Sequence, residues 1–379
     1  RLGDFYEMFF DDALVASKEL EITLTGKSCG LEERAPMCGI PYHAVEGYLS
    51  KLVSRGYKVA ICEQVEDPKL AKGLVKREVI RVVTPGTNLN VQSLEAGKNN
   101  YLLSIAYTSD GIGISAADVT TGDYYVTEVE DLKKLNDELM KYEPSEIICN
   151  EAFLVSGFDV NDLKSRLHIS VNALESHMFD DDGCRRILMK HFKVNTLIGL
   201  GIEEFPTGLL AAGALLQYLY DTQKTDLEHF THIYPYLTSK YMLLDSSTRR
   251  NLELTETLRE KQKRGSLLWV LDKTKTAMGA RLLRNYIEQP LIEKDEMEKR
   301  LDAIQELNQD SISRDEIREY LNPIYDLERL LSKVTYKTAN PRDLIAFRNS
   351  LQMLPPIKTV LSAFEKEELT KIREQIFLG

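Results

Sequence analysis

Residues 101–149 constrain the fold most strongly, because three β-rich runs follow one another there with only a tight turn between neighbours. A helical segment, Asp131–Tyr142, and a fourth β-rich run, Ser145–Cys149, come next. Further along, Leu209–Tyr220 is apolar on nearly every side, which is typical of a buried helix. This order of a β-meander, a helix and a further strand predicts an α/β domain over residues 99–225. The three runs are Tyr101–Tyr107, Gly111–Val119 and Tyr124–Val129.

The rest of the chain divides into a mixed region before this domain and a helical region after it. Residues 1–85 combine helical segments with the β-rich runs Lys58–Cys62 and Val79–Val83, which predicts a small mixed α/β domain. Pro85-Gly86 and the polar run after it predict a linker over 86–98. From residue 226 to 379 helical periodicity dominates, so we expect an elongated helical third domain and a multidomain α/β plus all-α protein. Apolar stripes at helical spacing are formed by Met297, Leu301, Ile304 and Leu307 and by Leu344, Phe347 and Leu351.

Charge is distributed unevenly along these regions. The formal net charge is −11, but residues 99–225 hold 10 basic against 20 acidic residues, while residues 1–98 and 226–379 are close to neutral. Residues 249–284 hold 10 basic against 4 acidic residues. If the protein binds a polyanion, we therefore expect the two ends of the chain to do so, with Arg249 and Arg250 as candidates in the basic stretch.

The cysteines and histidines do not form a metal or disulfide pattern. The five cysteines show no C-x-x-C spacing, and the six histidines show no H-x-x-x-H spacing. We expect reduced thiols in a cytoplasmic protein, and no apolar run approaches the roughly 18 residues of a membrane span. Because the chain begins with Arg1 and has no signal peptide, we expect both ends to be truncation or processing points.

Two features of the sequence suggest a catalytic site. Gly26-Lys27-Ser28 is similar to the end of a phosphate-binding loop, but Glu21 stands where that loop needs glycine, so no nucleotide site is predicted. The strand order of residues 99–225 is that of a ribonuclease-H-like fold, in which strand carboxylates hold Mg²⁺ and cut phosphodiesters. The first strand has no acidic residue, and Asp118 and Asp123 lie at a strand end and in a turn. A nuclease remains the alternative function.

An aromatic residue and a carboxylate stand two positions apart near the start, in Gly3-Asp4-Phe5-Tyr6-Glu7-Met8-Phe9. In an extended strand, Phe5 and Glu7 lie on one face, and Tyr6 and Met8 on the other. An aromatic side chain can wedge between base steps, and a carboxylate beside it can accept a hydrogen bond from a base edge or, when protonated, donate one. The alternative, that Phe5 is a core aromatic, is open from composition alone.

Four motifs in the first region are Gly3–Glu7 with Phe9–Ala13, Ala35–Ala44, Gly56–Val65 and Arg81–Thr87. In this order they resemble the mismatch-binding domain of the MutS family of bacterial DNA mismatch-recognition proteins. Four later segments are Leu252–Leu254, Ser266–Leu268, Leu271–Gly279 with Arg281–Arg284, and Asn340–Asp343. They are similar to the helical core or lever region of that family, and the likeness is looser across 99–225.

The resemblance implies roles for individual residues. Phe5 would stack on a mispaired base, and Glu7 would hydrogen-bond that base. Further DNA contacts implied or suggested are Tyr6, Pro36, Met37, Lys76, Arg77 and Arg81. For Pro36 and Met37 an ordinary turn is the alternative, and for the three basic residues a solvated strand edge.

The resemblance also implies the setting in which these residues act. The full-length protein would be a homodimer that uses ATP with Mg²⁺, binds mismatched duplex DNA, engages a MutL-type repair protein through the ribonuclease-H-like connector and is nucleoid-associated in the bacterial cytoplasm. The clamp and ATPase domains of the family do not appear in residues 1–379, so we expect no enzymatic activity and no cofactor in this chain.

Overall fold

The computed structural model describes residues 1–30, 32–66, 73, 75–90 and 93–377. The chain forms two compact units, and each draws on more than one stretch of sequence. The first unit comprises residues 1–94, 100–119 and 144–227, and the second comprises 95–99, 120–143 and 228–379.

The first unit begins with a small three-stranded sheet and two helices. The elements are β1 (Phe5–Phe9), α1 (Phe10–Leu20), β2 (Thr25–Lys27), β3 (Ala35–Pro41) and α2 (Val45–Ser54). The central strand β3 pairs antiparallel with β1 on one side and β2 on the other. Buried Ala13, Ala16 and Leu20 of α1 pack on Cys38 and Ile40 of β3, which gives the sheet one covered face. The predicted mixed α/β character of residues 1–85 is confirmed.

A two-stranded antiparallel hairpin, β4 (Val59–Gln64) and β5 (Arg77–Val83), follows α2. Its paired base, Val59 opposite Val83, packs with Ile61 against Leu49 and Val53 of α2. A register shift lies between Ile61 and Cys62. Thr84 begins a short 3₁₀ turn, Pro85–Thr87, through a reciprocal capping box with Thr87. The start of the predicted linker is therefore ordered, with Gly86 and Thr87 buried.

The rest of the first unit is an α/β layer. Strand β6 (Leu102–Tyr107) pairs antiparallel with β7 (Ile112–Asp118) and parallel with β9 (Glu146–Asn150). Strand β9 also pairs parallel with β10 (Ser170–Leu174). The predicted buried helix is confirmed as α7, whose alanines pack on Ala106 of β6. The elements are β6 (Leu102–Tyr107), β7 (Ile112–Asp118), β9 (Glu146–Asn150), α4 (Glu151–Leu154), α5 (Val160–Ser165), β10 (Ser170–Leu174), α6 (Asp181–Phe192) and α7 (Pro206–Gln223).

The second unit combines a short parallel strand pair with many helices. Strand β8 (Asp123–Val129) pairs parallel with β11 (Tyr234–Pro235), and α3 (Leu132–Tyr142) follows β8. The helices after β11 confirm the predicted change to helical structure in the last third. They are α8 (Ser246–Asn251), α9 (Leu267–Leu271), α10 (Ala277–Glu288), α11 (Lys294–Gln309), α12 (Ser311–Leu321), α13 (Leu327–Thr335), α14 (Pro341–Leu351), α15 (Leu354–Leu361) and α16 (Glu367–Gln375).

The apolar stripes of two of these helices differ from a simple core-facing pattern. In α11 the core is reached by Ala303 and Leu307, whereas Leu301 and Ile304 are each 61% exposed. In α14 Leu344 is exposed while Ser350 is buried. Periodicity therefore predicts the helices but not which side each helix covers. Helix ends follow local rules, since Pro341 occupies the first turn of α14 and Asn340 caps it.

Candidate functional site

Strand β1 presents two chemically different faces. Phe5, Glu7 and Phe9 alternate with Tyr6 and Met8, and both Tyr6 and Met8 pack against the core formed by α1 and β3. Phe5 is 48% exposed. The predicted alternation is confirmed, and the alternative that Phe5 is a core aromatic is wrong, because the covered face of the sheet is the other one.

The strand opposite β1 leaves room between Phe5 and Glu7. In the register of β1 with β3, Phe5 lies opposite Pro41 and Glu7 opposite Gly39. A Cβ atom on Gly39 would lie 3.8 Å from both the Phe5 Cδ1 and the Glu7 Cγ atoms. Since glycine has no Cβ, the aromatic ring and the carboxylate flank a strip of bare backbone.

Lys27 on β2 supplies the charge partner of Glu7. Its Nζ donates to the Glu7 Oε2 atom across β3 at 2.5 Å, and the same ammonium lies 5.4 Å from the centroid of the Phe9 ring. Lys27 is more exposed than the Glu7 carboxylate, which is 17% exposed. In the sequence, Lys27 belongs to a motif similar to a phosphate-binding loop, and its pairing with Glu7 was not predicted. We call the surface formed by Phe5, Glu7, Phe9, Lys27 and Met37 the probe face.

The other predicted contacts in this sheet are divided between its two faces. Met37 lies opposite Phe9 and belongs to the probe face, where the Thr25 hydroxyl donates to the Met37 carbonyl at 3.0 Å. Pro36, the residue before it on β3, alternates to the other side. Tyr6 also lies on that side, so it is not adjacent to Phe5 and Glu7 on the surface.

The hydroxyl of Tyr6 is committed inside the fold. It donates a hydrogen bond to the Glu63 carboxylate on β4. Burial, this hydrogen bond and the negative charge of Glu63 raise the pKa of Tyr6 above its ordinary value. The side chain predicted as a DNA contact therefore joins β1 to the hairpin, and its position gives no support to a contact with DNA.

The three basic residues of the hairpin region differ in how they are used. Lys76 and Arg77 are exposed at the end of β5 remote from its base, and Lys76 forms an ion pair with Glu78. Arg81 is half-buried, and its guanidinium donates to the Thr87 carbonyl at 3.2 Å. The first two are placed like the solvated strand edge considered from sequence, whereas Arg81 also holds the turn after β5.

The carboxylates of the nuclease alternative have structural tasks. Asp118 is fully buried at the end of β7, where its Oδ2 atom accepts a hydrogen bond from the backbone amide of Asn100 at 3.0 Å. Asp123 accepts from Asn99 and Thr121. Asp180 caps α6 by accepting from the Gly183 backbone amide. The geometry does not favour phosphodiester cleavage by these residues.

Other sites considered from sequence are not assembled in the part of the chain that the structure describes. No group of three or more His, Cys, Asp or Glu side chains placed to hold a metal ion occurs among those residues. Gly26 and Lys27 lie in strand β2, and the Lys27 ammonium is engaged by Glu7, so this segment does not fit a nucleotide phosphate. Within the same described ranges, no helix has the length and apolar character needed to cross a bilayer.

The basic stretch of residues 249–284 is partly internal. The Arg249 guanidinium donates to the carbonyls of Leu244 and Glu288, so its position gives no support to a contact with DNA. Buried Arg281 forms ion pairs with Asp326 and Glu328. Only part of the local excess of positive charge is therefore displayed to solvent, with Arg250 among the exposed residues.

Comparison with protein-family models matches almost the whole chain in three consecutive segments. Residues 1–92 match MutS domain I, residues 100–231 match MutS domain II, and residues 247–377 match MutS domain III. The probe face and the β4–β5 hairpin lie within the first segment, and α7 lies within the second.

Curated relatives are similar over nearly the full length of the chain. The DNA mismatch repair protein MutS of Lachnoclostridium phytofermentans is 67% identical over 376 residues, which is 99% of this chain and 40% of that protein. The MutS proteins of Ruminiclostridium cellulolyticum and Clostridium tetani are 52% and 44% identical and are covered to 43% and 41%. The chain thus spans about two fifths of the length of the relatives that it matches.

Proposed function

Because this chain belongs to the MutS family of DNA mismatch repair proteins, we propose that it recognises mispaired or unpaired bases in duplex DNA through the probe face. The observation that supports this most directly is the pairing of a half-exposed Phe5 with Glu7 across the bare backbone of Gly39. An apolar wedge and a hydrogen-bond acceptor side by side are what a base removed from its stack requires.

In the proposed complex, Phe5 inserts at a base step and stacks on the mispaired base. Unstacking costs a few kcal/mol in a normal duplex and less where pairing is already defective. Kinking the DNA at that step likewise costs less at a weak step than in matched DNA. The selectivity of Phe5 therefore comes from the energy of deforming the duplex rather than from reading a particular base.

Glu7 supplies the polar part of recognition by accepting a hydrogen bond from the exposed edge of that base. A carboxylate close to phosphates is repelled by them, and this repulsion must be offset. Lys27 offsets it, because its ammonium contacts Glu7 Oε2 directly, while the Lys27 side chain as a whole remains 41% exposed. The pair thus presents an acceptor at the base edge without a local net negative charge.

Around this centre we propose weaker contacts. Met37, on the probe face, and Pro36, beside it in sequence, would lie along the minor groove near the lesion. Lys76 and Arg77, exposed on the hairpin, would contact phosphates and contribute affinity without sequence information. Arg81 remains a proposed phosphate contact, although its guanidinium already serves the turn at Thr87.

The activity of the whole protein is proposed from its relatives. We propose that the full-length protein initiates DNA mismatch repair as a homodimer, uses ATP with Mg²⁺ and engages a MutL-type partner through residues 99–225. The Gly26-Lys27 segment is not part of a nucleotide site in this proposal, because it forms strand β2 and Lys27 pairs with Glu7.

The test measures binding of the full-length protein to a duplex with a G·T mispair or a single-base bulge and to its matched twin at stated salt. We expect Phe5→Ala to reduce the preference for the lesion by roughly 5- to 150-fold, since removing one base–aromatic stack costs about 1–3 kcal/mol. Weak binding to matched DNA should persist. Phe10→Ala is the matched control, because Phe10 is 53% exposed but begins α1 outside the probe face.

Glu7→Gln adds a second arm to this experiment. It keeps a hydrogen-bonding side chain but removes the charge and the ion pair with Lys27. If Phe5→Ala and Phe10→Ala reduce the lesion preference equally, or if neither Phe5→Ala nor Glu7→Gln changes it, the probe face does not read mismatches and the proposal is wrong.

A further inference from the structure

Glu146, at the start of β9, is a fully buried carboxylate with donors from several elements. Its side chain is 0% exposed. Oε1 accepts from the Tyr218 hydroxyl of α7 at 2.7 Å and from the Asn172 amide of β10 at 3.2 Å, and Oε2 accepts from the Gly86 backbone amide at 3.1 Å. The Lys58 ammonium lies 3.5 Å from Oε1. Burying a charge this completely is costly unless a cation and several donors satisfy it.

Two of these partners mark the two ends of the β4–β5 hairpin. Lys58 immediately precedes β4, which begins at Val59, and Gly86 follows β5, which ends at Val83. Val59 and Val83 are paired with each other at the base of the hairpin. One carboxylate on β9 therefore binds the chain just before the hairpin and just after it.

Further contacts close the same base against the α/β layer. The Lys58 ammonium also donates to the Tyr218 hydroxyl at 3.1 Å, and Asn100 donates to the Pro85 carbonyl at 3.1 Å. A Cβ atom on Gly86 would lie 2.8 Å from the Leu102 Cβ and 3.1 Å from the Glu146 Cβ atom. The chain can approach Glu146 this closely because residue 86 is glycine.

We propose that Glu146 is a positioning residue for DNA binding: by holding Lys58 and Gly86 it sets the direction in which the hairpin presents Lys76 and Arg77. This proposal rests on the proposed function, which makes those cations phosphate contacts. At about 3.3 Å per strand residue the paired segment is about 20 Å long, so a rotation of about 10° at the base moves its far end by about 3 Å. That displacement is enough to break contact with a phosphate.

The hairpin also contacts the strand that bears the probe face. Glu63 on β4 accepts the hydrogen bond of Tyr6, which stands between Phe5 and Glu7 on β1. A shift at the base is therefore delivered both to the exposed cations and to the strand that bears Phe5.

The test uses the full-length protein with Lys58→Met, Glu146→Gln and the double variant. Lys58→Met removes the cation and leaves the carboxylate buried without it, whereas Glu146→Gln keeps the shape and removes the charge. We expect Lys58→Met to speed hydrogen exchange of the peptide containing Gly86 by about tenfold, because the opening of that turn becomes cheaper. The double variant should restore much of the protection, which loss of packing alone would not do.

DNA affinity is the second readout. We expect Lys58→Met to weaken binding of both matched and mismatched duplexes by about three- to tenfold and to lower the salt dependence, since phosphate contacts are misaligned. Lys51→Met is the matched control, because Lys51 is an exposed lysine on the neighbouring α2. Glu146→Gln alone provides a variant that retains hydrogen-bonding capacity if Lys58→Met does not fold.

The outcomes separate this proposal from the proposed function. If hydrogen exchange at Gly86 becomes faster while DNA affinity is unchanged, Glu146 has only a structural role and the positioning role is wrong. The positioning role is also wrong if hydrogen exchange at Gly86 is unchanged in both single variants. Loss of affinity in Lys58→Met that the double variant restores supports it. A wild-type protein without preference for the mispaired duplex defeats the proposed function, while exchange and matched-DNA affinity still decide the role of Glu146.

Discussion

The hydroxyl of Tyr6 donates a hydrogen bond to the carboxylate of Glu63. This bond links the strand that bears Phe5 and Glu7 to the β4–β5 hairpin through the covered face of the strand. The two residues are separated by 57 positions in the chain and come from different sheets. Because Tyr6 lies between Phe5 and Glu7, this bond restrains the strand at the point where both emerge. The position of the exposed Phe5 ring is thus stabilised by Tyr6, whose own side chain packs on the covered face of the sheet.

Removing this hydroxyl should cost stability. We expect Tyr6→Phe to lower the free energy of unfolding by about 1 kcal/mol, since the half-buried Glu63 loses a donor. The raised pKa of Tyr6 keeps the hydroxyl protonated, and a group whose folded pKa is raised contributes fully below its unfolded pKa near 10. The loss should therefore be equal at pH 7 and pH 9 in urea titrations. Tyr57→Phe, in an exposed Tyr57–Glu19 pair, should change stability by less than about 0.5 kcal/mol.

Removing the cation of the probe face should expose the charge of Glu7. We expect Lys27→Met to weaken binding to both matched and mismatched duplexes at low salt, and Glu7→Gln in the same chain to restore much of the affinity. In stability the Lys27–Glu7 coupling should be about 0.2–1 kcal/mol, because the lysine is partly solvated. A double-variant cycle read by denaturation and by DNA titration measures both, with Lys18→Met on α1 as control. Additive effects in both titrations would contradict the pairing.

A buried acid in the second unit should make stability depend on pH. Burial raises the pKa of Glu288 to about 7, against the opposing charge of Arg284. Its stabilising contribution is complete below the unfolded pKa near 4.5 and is lost as the pH rises towards and through 7. We expect Glu288→Gln to match the wild type near pH 4.5–5 and to gain relative stability by pH 8, by on the order of 3 kcal/mol at most. Parallel denaturation curves of the two proteins at pH 5 and pH 8 check this. A difference that does not grow with pH would show that Arg284 keeps Glu288 ionised.

Asp118 should behave as a structural acceptor. We expect Asp118→Asn to lower the free energy of unfolding by about 1–3 kcal/mol, because the buried Asn100 amide loses a charged acceptor. We expect no Mg²⁺-dependent cutting of a DNA duplex by the wild-type chain. Nuclease activity that copurifies with the protein and disappears in Asp118→Asn would reinstate the nuclease alternative.

Local patterns of apolar residues in the sequence predicted much of the fold. Alternation along Phe5–Phe9 gave the correct sidedness of β1, and the all-round apolar character of residues 209–220 correctly indicated a buried helix, α7. Both succeed because a strand or helix facing a core imprints its period on its own residues. In α11 the same reasoning identified the helix but not its covered side, because Ala303 is a weak marker of burial beside Leu301 and Ile304.

The partners of the candidate site could not be predicted in this way. Lys27 contacts Glu7 only because β3 lies between β1 and β2 in the sheet. The local sequences of β1 and β2 do not predict that strand order. Glu146 meets Lys58 and Gly86 across 88 and 60 positions of chain. Charged residues of this kind look like ordinary surface acids and bases in sequence, since their role depends on contacts that no local period encodes.

The glycine opposite Glu7 has a consequence for the thermodynamics of recognition. A base that stacks on Phe5 and reaches the Glu7 carboxylate must pass over residue 39, which contributes only backbone held in register by β1. Gly39 has no side-chain rotamers that a bound base could restrict, so this position adds no side-chain entropy cost to binding. At the position of the base itself, the side-chain ordering cost in the proposed complex then comes from the aromatic ring and the carboxylate that flank residue 39.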